Sequence, residues 1–306
     1  MSGRRTSRRP EASAAQFRCG EVAIVGRPSV GKSTLVNALV GARVSITSRR
    51  PQTTRGRLRG ILTTDSAQFV FVDTPGFQTR HRSPLNARMN RALRESLAGV
   101  DVIVAVIETR GPTAEDRALF ALLPGSVPAI AAVNKIDRLA DKSLLLPVLA
   151  DVAAAHDFAA IVPISAERRL ELDELLRTIE LSLPPGPPLF PGDELTDRDE
   201  RFLAAEFLRE KIFRQLGEEV PYAAAVAIDT FRQEGELRRI HATVYVDKAS
   251  QRAIVLGEGG ARMKEIASAA RRDMERLFGG KVFLEVWVRV KPGWANDARL
   301  LARLGY

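Results

Sequence analysis

The run Gly26-Arg27-Pro28-Ser29-Val30-Gly31-Lys32-Ser33 fits the pattern G-x-x-x-x-G-K-[ST] without a gap, and it limits the fold more than any other stretch of the chain. The apolar run 22–25 precedes it, as a buried strand would, and residues 34–40 follow with apolar spacing that suits a helix. In a strand–loop–helix setting the backbone N–H groups of such a loop close around phosphates, and the helix N-terminus adds positive potential. Gly26 and Gly31 supply the backbone freedom this requires. Lys32 is placed to reach the β- and γ-phosphates, and the Ser33 hydroxyl to bind Mg²⁺. The expected contact run extends through Thr34.

Three further motifs follow in order. The run 69–72 leads into Asp73-Thr74-Pro75-Gly76, a D-x-x-G at the end of an expected strand. There Asp73 would hold Mg²⁺ through water and the Gly76 N–H would sense the γ-phosphate. The run 129–133 leads into Asn134-Lys135-Ile136-Asp137, an N-K-x-D motif. Asp137 can accept two hydrogen bonds from the N1–H and exocyclic amine of guanine. Adenine cannot supply that pair, so the nucleotide is expected to be GTP or GDP. The run 161–164 leads into Ser165-Ala166, placed for backbone contact with the guanine O6. A switch threonine on Mg²⁺ is expected at Thr53 or Thr54, with Thr54 favoured beside Arg55. Phe77 stands where a glutamine could orient the attacking water, so intrinsic hydrolysis is expected to be slow. The catalytic set is therefore Lys32, Thr54, Asp73 and Gly76, with Ser33, Thr54 and Asp73 around the metal.

The strand runs 22–25, 69–72, 102–107, 129–133 and 161–164 alternate with helical stretches such as 86–96, 114–123 and 143–155. This alternation predicts an α/β domain with a doubly wound, mostly parallel sheet over residues 19–183. Leu183-Pro184-Pro185-Gly186-Pro187-Pro188 breaks regular structure, and 184–192 reads as a stiff linker. Beyond it, 193–306 gives a smaller α+β unit in the order α-β-β-α-α-β. Its helix is expected over 199–216 and its strands over 223–231, 238–247 and 282–290, with Gly257-Glu258-Gly259-Gly260 between two helical stretches. Residues 1–18 are Arg- and Ser-rich with few apolar side chains and read as a basic disordered arm.

The net charge of +9 over 306 residues is unevenly placed. Arginines cluster in 1–18 and again in 43–59, where no acid occurs, and basic residues outnumber acids over 250–291. Such clustering favours a polyanionic partner. The single Cys19 excludes an intrachain disulfide, and His81, His156 and His241 lack ligand spacing. No apolar run approaches the length of a membrane span, and the start lacks the apolar region of a secretion signal.

Together these motifs, with Phe77 in the glutamine position, resemble the TrmE–Era–EngA group of GTPases. Beyond the linker, Leu195-Thr196-Asp197-Arg198, Arg201-Phe202, Arg209-Glu210-Lys211, Val286-Trp287-Val288, Gly293-Trp294 and Leu304-Gly305-Tyr306 are similar to the C-terminal unit of the Era family. That resemblance covers roughly residues 20–306. It implies a GTPase domain followed by a type II KH domain, with Gly257, Glu258, Gly259 and Gly260 as the GXXG loop that clamps a nucleic-acid backbone. It also implies binding to the 3′ end of small-subunit (16S) ribosomal RNA and to the 30S precursor during subunit assembly. Arg262, Lys264 and Arg271 would neutralise phosphate; Lys291 and Trp294 would border the groove, Trp294 either stacking on a base or packing in the core. Glu258 puts an acid where polar or basic residues are usual in the family. K⁺ is a further candidate cofactor, weakened by Ser29, which is shorter than the Asn the family's P-loops carry. A cytoplasmic monomer with peripheral contact at the inner membrane is expected.

Other readings keep specific support. A module that binds RNA around a structural or slowly hydrolysed nucleotide fits Phe77 and Ser29. A membrane-associated GTPase coupling growth to the cell cycle would use the Arg-rich arm on anionic lipid. A GTPase of transfer-RNA modification would need a C-terminal cysteine, and none follows Cys19.

Overall fold

The computed structural model describes residues 16–47, 58–77, 84–217, 220 and 224–294. Six strands form the first sheet: β1 (Arg18–Val25), β2 (Leu58–Thr63), β3 (Ala67–Asp73), β4 (Val102–Glu108), β5 (Ala129–Asn134) and β6 (Ala160–Ile164). Their spatial order is β2-β3-β1-β4-β5-β6, parallel throughout except for β2, which runs antiparallel to β3. Strands β3, β4 and β5 are apolar along nearly their whole length because helices cover both faces of the sheet. On one face α1 (Lys32–Val40) and α5 (Leu172–Ser182) pack through Leu35, Val36, Leu175 and Ile179. On the other, α2 (Pro84–Leu97), α3 (Ala114–Phe120) and α4 (Leu145–Ala155) contribute Leu93, Leu119 and Val152.

The sequence runs anticipate five of these strands but not β2. Its segment Leu58-Arg59-Gly60-Ile61 follows a polar stretch, and only pairing with β3 makes it a strand. The chain reverses strand order at β1, whose neighbours are β3 and β4. Ligand crevices in open α/β sheets form at such a switch point, beyond the C-terminal ends of the strands.

The second unit has α6 (Glu200–Gln215), β7 (Ala224–Glu234), β8 (Leu237–Val246), α7 (Ala249–Leu256), α8 (Ala261–Phe278) and β9 (Lys281–Val290). The hairpin β7–β8 is antiparallel and β9 joins β8 in parallel, in the order β7-β8-β9. Asp199 caps α6 by accepting from the Phe202 N–H at 2.8 Å. Phe207, Leu208, Ile212, Ile266, Ala270 and Met274 pack α6 and α8 against Val226, Ile240 and Val244 of the sheet. Among the described residues no helix is long and apolar enough to cross a membrane.

The Pro-rich stretch is fastened to the first sheet along its length. Cys19 N donates to Pro184 O at 3.1 Å and Gly186 N to Phe17 O at 3.0 Å. The fully buried Gln68 accepts from the N–H groups of Leu189 and Phe190 at 2.7 and 2.9 Å. Its amide donates to Thr63 Oγ1 and Phe190 O. Further on, Ile61 N donates to Leu195 O at 2.9 Å and Thr196 Oγ1 to Arg59 O at 2.7 Å.

Two arginines of the basic stretch 43–59 are spent inside the molecule. Arg43 pairs with Glu210 and Asp273 of α6 and α8, each at 2.5 Å, and Arg59 pairs with Glu21 at 2.6 Å and Asp197 at 3.3 Å. Their clustering in sequence therefore does not mark a polyanion-binding surface at those two positions. Replacing Gln68 with Leu should destabilise the chain by about 1–3 kcal/mol, because half-buried backbone groups at 189–190 lose their partners. Denaturant unfolding measures the loss, and faster proteolytic cutting within 184–192 would locate it.

Candidate nucleotide site

The P-loop joins the end of β1 to the start of α1. A Cβ on Gly31 (φ +109°) would lie 2.3 Å from the Asn134 amide nitrogen, so no side chain fits there. The reason is a lacing bond: Asn134 Nδ2 donates to Val30 O at 2.9 Å. The Asn134 carbonyl accepts from Lys135 N at 2.8 Å and Ala166 N at 3.0 Å. One buried amide thus joins the phosphate loop, the N-K-x-D loop and the Ser165-Ala166 loop. Lys135, held at φ +74°, sends its ammonium to Ser29 O at 2.8 Å and to Glu108.

Ser165 Oγ donates to Asp137 Oδ1 at 2.5 Å. This fixes the carboxylate at the rim formed by the ends of β5 and β6, where it can meet the Watson–Crick edge of guanine.

Lys32 is buried, its ammonium donating to Gly26 O at 3.1 Å and Arg27 O at 2.9 Å. Burial pushes its pKa down to about 8, partly opposed by Asp73 and aided by Arg27. The Arg27 side chain turns to Asp116 at the start of α3, at 2.8 Å, so what Arg27 offers a phosphate is its backbone. Asp116 also takes the Thr113 N–H at 2.9 Å in a capping box, which ties α3 to the phosphate loop.

Asp73, fully buried at the end of β3, accepts from Ser33 Oγ at 2.7 Å and from Ser45 Oγ at 2.6 Å on the same oxygen. Thr74 Oγ1 donates to Ile24 O at 2.7 Å, pinning the D-x-x-G turn to β1. Pro75 lies buried in that turn, and a Cβ on Gly76 would meet Pro28 at 2.9 Å, so the turn sits directly against the P-loop. Phe77 is buried in the cluster with Leu93 and Leu119, and its ring offers nothing to a water.

The sequence motifs do not reveal Ser45 or Asn37. Asn37 of α1 accepts from the N–H groups of Val44 and Ser45 at 2.9 and 2.8 Å and donates to Ser45 O at 2.6 Å. The only sequence signal was an asparagine in mid-helix, where its short amide favours local backbone bonds. Thr34 lies in the first turn of α1. Thr54 lies outside the described residues, as does the arm up to residue 15.

In the second unit Gly257, Gly259 and Gly260 have φ of +71°, +55° and +82°, and Glu258 is exposed between them. A Cβ on Gly259 or Gly260 would meet nothing within 4 Å, so backbone conformation, not crowding, calls for glycine there. Arg262, Lys264 and Arg271 are exposed on α8. Arg262 donates to Ile254 O at 2.9 Å and Arg271 pairs with Glu275 at 2.9 Å. Lys291 N donates to Val246 O at 2.8 Å at the end of the sheet. Trp294 is corrected: it is 4% exposed and packs on Ala225 and Tyr245, so its ring is core and does not stack on a base.

The low Lys32 pKa has a measurable sign. In the nucleotide-free chain the folded pKa of about 8 lies below the ordinary 10.5, so charged Lys32 costs stability at neutral pH. The cost is relieved as pH rises from about 8 to 10.5. Phosphates favour the ammonium and raise the pKa again. Nucleotide binding at pH 8.5 should therefore take up a fraction of a proton. Calorimetry in buffers of different ionisation enthalpy reads this directly, and Lys32→Arg should remove it.

Comparison with known proteins agrees with this geometry. A family model described as 50S ribosome-binding GTPase matches residues 21–135, and a KH domain model matches 219–295. GTPase Era of Nitrosomonas eutropha is 53% identical over 294 residues, covering 96% of this chain and 99% of that protein. GTPase Era of Chromobacterium violaceum is 52% identical over 289 residues, covering 94% and 98%. A crystal structure of Era in complex with MgGDPNP and nucleotides 1506–1542 of 16S ribosomal RNA superposes with a TM-score of 0.89 at 38% identity, over 95% of this chain and 99% of that one. An Aquifex aeolicus Era variant bound to GDP·AlF4⁻ gives the same TM-score, identity and coverage. At 52–53% identity along nearly the full length of such relatives, the chain belongs to the Era family of GTPases.

Proposed function

We propose that this chain is a GTP-hydrolysing switch that binds the 3′ end region of small-subunit ribosomal RNA and acts on the 30S precursor in subunit assembly. One observation carries the reading: the Asp137 carboxylate set by Ser165 and an open GXXG loop occur in one chain, 95% of which follows an Era–16S ribosomal RNA complex at a TM-score of 0.89.

The donors at Asp73 fit Mg²⁺. Among the described residues no three His, Cys, Asp or Glu side chains converge on a common point, and the candidates are one hydroxyl and one carboxylate. Such a sparse set suits an ion that keeps waters and takes phosphate oxygens. Ser33 would be its direct protein ligand, Asp73 would hold it through water, and Thr54 is proposed as the switch ligand. When bound, the ion neutralises charge on the β- and γ-phosphates. Lys32 would leave the carbonyls of Gly26 and Arg27 for the phosphates. The N–H groups from Gly26 to Thr34 would wrap them, and the Gly76 N–H would meet the γ-phosphate. Asp137, held by Ser165, would select guanine, and Ala166 N–H would face its O6. With Phe77 buried, orientation of the attacking water falls to other groups, so unassisted turnover is slow.

On the RNA side, the backbone of Gly257, Glu258, Gly259 and Gly260 would clamp the strand, with Arg262, Lys264, Arg271 and Lys291 near its phosphates. The exposed Glu258 opposes that charge. The protein works in the cytoplasm on this reading.

GTP hydrolysis should rise when an RNA carrying the ribosomal 3′ end is added, with Lys32→Ala as the blank. Gly259→Asp should abolish the rise. The space there is open and Asp is one of the few side chains that visits positive φ, so the variant adds a negative charge together with backbone strain at φ +55°. Hydrolysis indifferent to RNA, despite tight binding, would leave two independent modules. Separately, Glu258→Lys should tighten RNA binding several-fold in low salt and less in high salt. Unchanged affinity would mean that the side chain faces away from the strand.

A further inference from the structure

We infer that residues 43–45 are a positioning element through which the KH helices set the magnesium-side carboxylate. The inference rests on the metal role proposed above for Ser33 and Asp73. Arg43 follows α1 by three residues. Its guanidinium reaches Glu210 at 2.5 and 2.6 Å and Asp273 at 2.5 Å, and it lies 6.0 Å from the Phe207 ring centroid. Glu210 is fully buried and Asp273 nearly so, and both belong to helices of the RNA-side unit. Arg214 adds a second grip, donating to Thr47 O at 3.0 Å and to Thr47 Oγ1 at 2.6 Å.

Between these two grips lies Ser45, buried, with its hydroxyl on Asp73 Oδ2 at 2.6 Å. Asn37 holds the same loop to α1 through three hydrogen bonds. Polar bonds from α6 and α8 to Arg43, two residues of backbone, and the Ser45 bond to Asp73 therefore form one path. Asp73 Oδ2 already takes two hydroxyl protons, from Ser33 and Ser45. A carboxylate can accept about four hydrogen bonds, so Asp73 can take a metal-bound water while Ser45 holds its orientation. Because Arg43 is tied to two carboxylates of the other unit, displacing that unit displaces the loop. The coupling is reciprocal: whatever moves α6 and α8 alters metal affinity, and the metal alters how those helices are held. The Arg43 guanidinium is spent on α6 and α8, and Asp273 lies on the helix that begins at the GXXG loop.

The test uses the full chain and the release rate of a fluorescent GDP analogue across a Mg²⁺ titration, with no RNA present. Asp73→Asn should raise the half-saturating Mg²⁺ concentration. Arg43→Met and Ser45→Ala should each raise it by about fivefold or more, in the range of ordinary coupling. Ser45→Thr should restore it. Combining Arg43→Met with Ser45→Ala should shift it no further than the larger single change, since both act through one path. Removing Arg43 leaves Glu210 with Arg214 at 2.9 Å and Asp273 with Lys211, so the fold is retained. Arg43→Lys, which keeps charge but loses the fork, should give a smaller shift. Glu200→Gln breaks an ion pair of 2.6 Å to Arg238 inside the second unit and should leave Mg²⁺ dependence unchanged. A wild-type response in Asp73→Asn would overturn the metal reading and this inference with it. A shifted Asp73→Asn beside unshifted Arg43→Met and Ser45→Ala, or additive effects of those two, would overturn the inference alone.

Discussion

The side-chain amide of Asn134 is the interaction on which the nucleotide site depends. It lies at the end of β5 and satisfies groups from three loops that are far apart in sequence. A buried amide with all of these bonds made is rigid, and one left half-satisfied would cost about 1–3 kcal/mol for each stranded group. The P-loop, the base-reading loop and Ser165-Ala166 therefore stand or fall together. The same bond explains why Gly31 admits no side chain, since a Cβ would occupy the amide's place.

Around this amide the site is held in shape by its own cations. Lys32 and Lys135 bond to carbonyls of Gly26, Arg27 and Ser29, which keeps the loop wrapped. A loop already in its binding conformation loses less entropy when a ligand arrives. The depressed pKa of Lys32 is the counterpart of that order, because the ammonium is kept out of water before phosphate can stabilise it.

Much of the site was legible in sequence because its chemistry is local. A phosphate cradle needs one contiguous run, and Gly26 through Thr34 supplies it. Asp73, Gly76, Asn134, Asp137 and Ser165 each follow a strand end, so apolar runs place them on one edge of a sheet. Ser45 and Asn37 escaped notice because a serine in a polar loop and an asparagine in a helix have many innocent uses. Arg43 and Arg59 were misread as part of a basic surface, since composition counts charge and cannot see the acids brought to it from residues 21, 197, 210 and 273. For Trp294 the sequence left two uses open, and packing on Ala225 and Tyr245 decided for the core.

Sequence alone thus determined five of the six strands of the first sheet, the nucleotide class and the two kinds of unit, because each is encoded by short-range periodicity or by a run of a few residues. Tertiary structure alone decided which charges face solvent, that β2 completes the sheet in the antiparallel sense, and that residues 43–45 join the metal carboxylate to the KH helices. The ion pairs and the loop contacts among them join residues 28 to 230 positions apart. No local pattern reports such contacts, since their partners meet only when the sheet and the helices have packed.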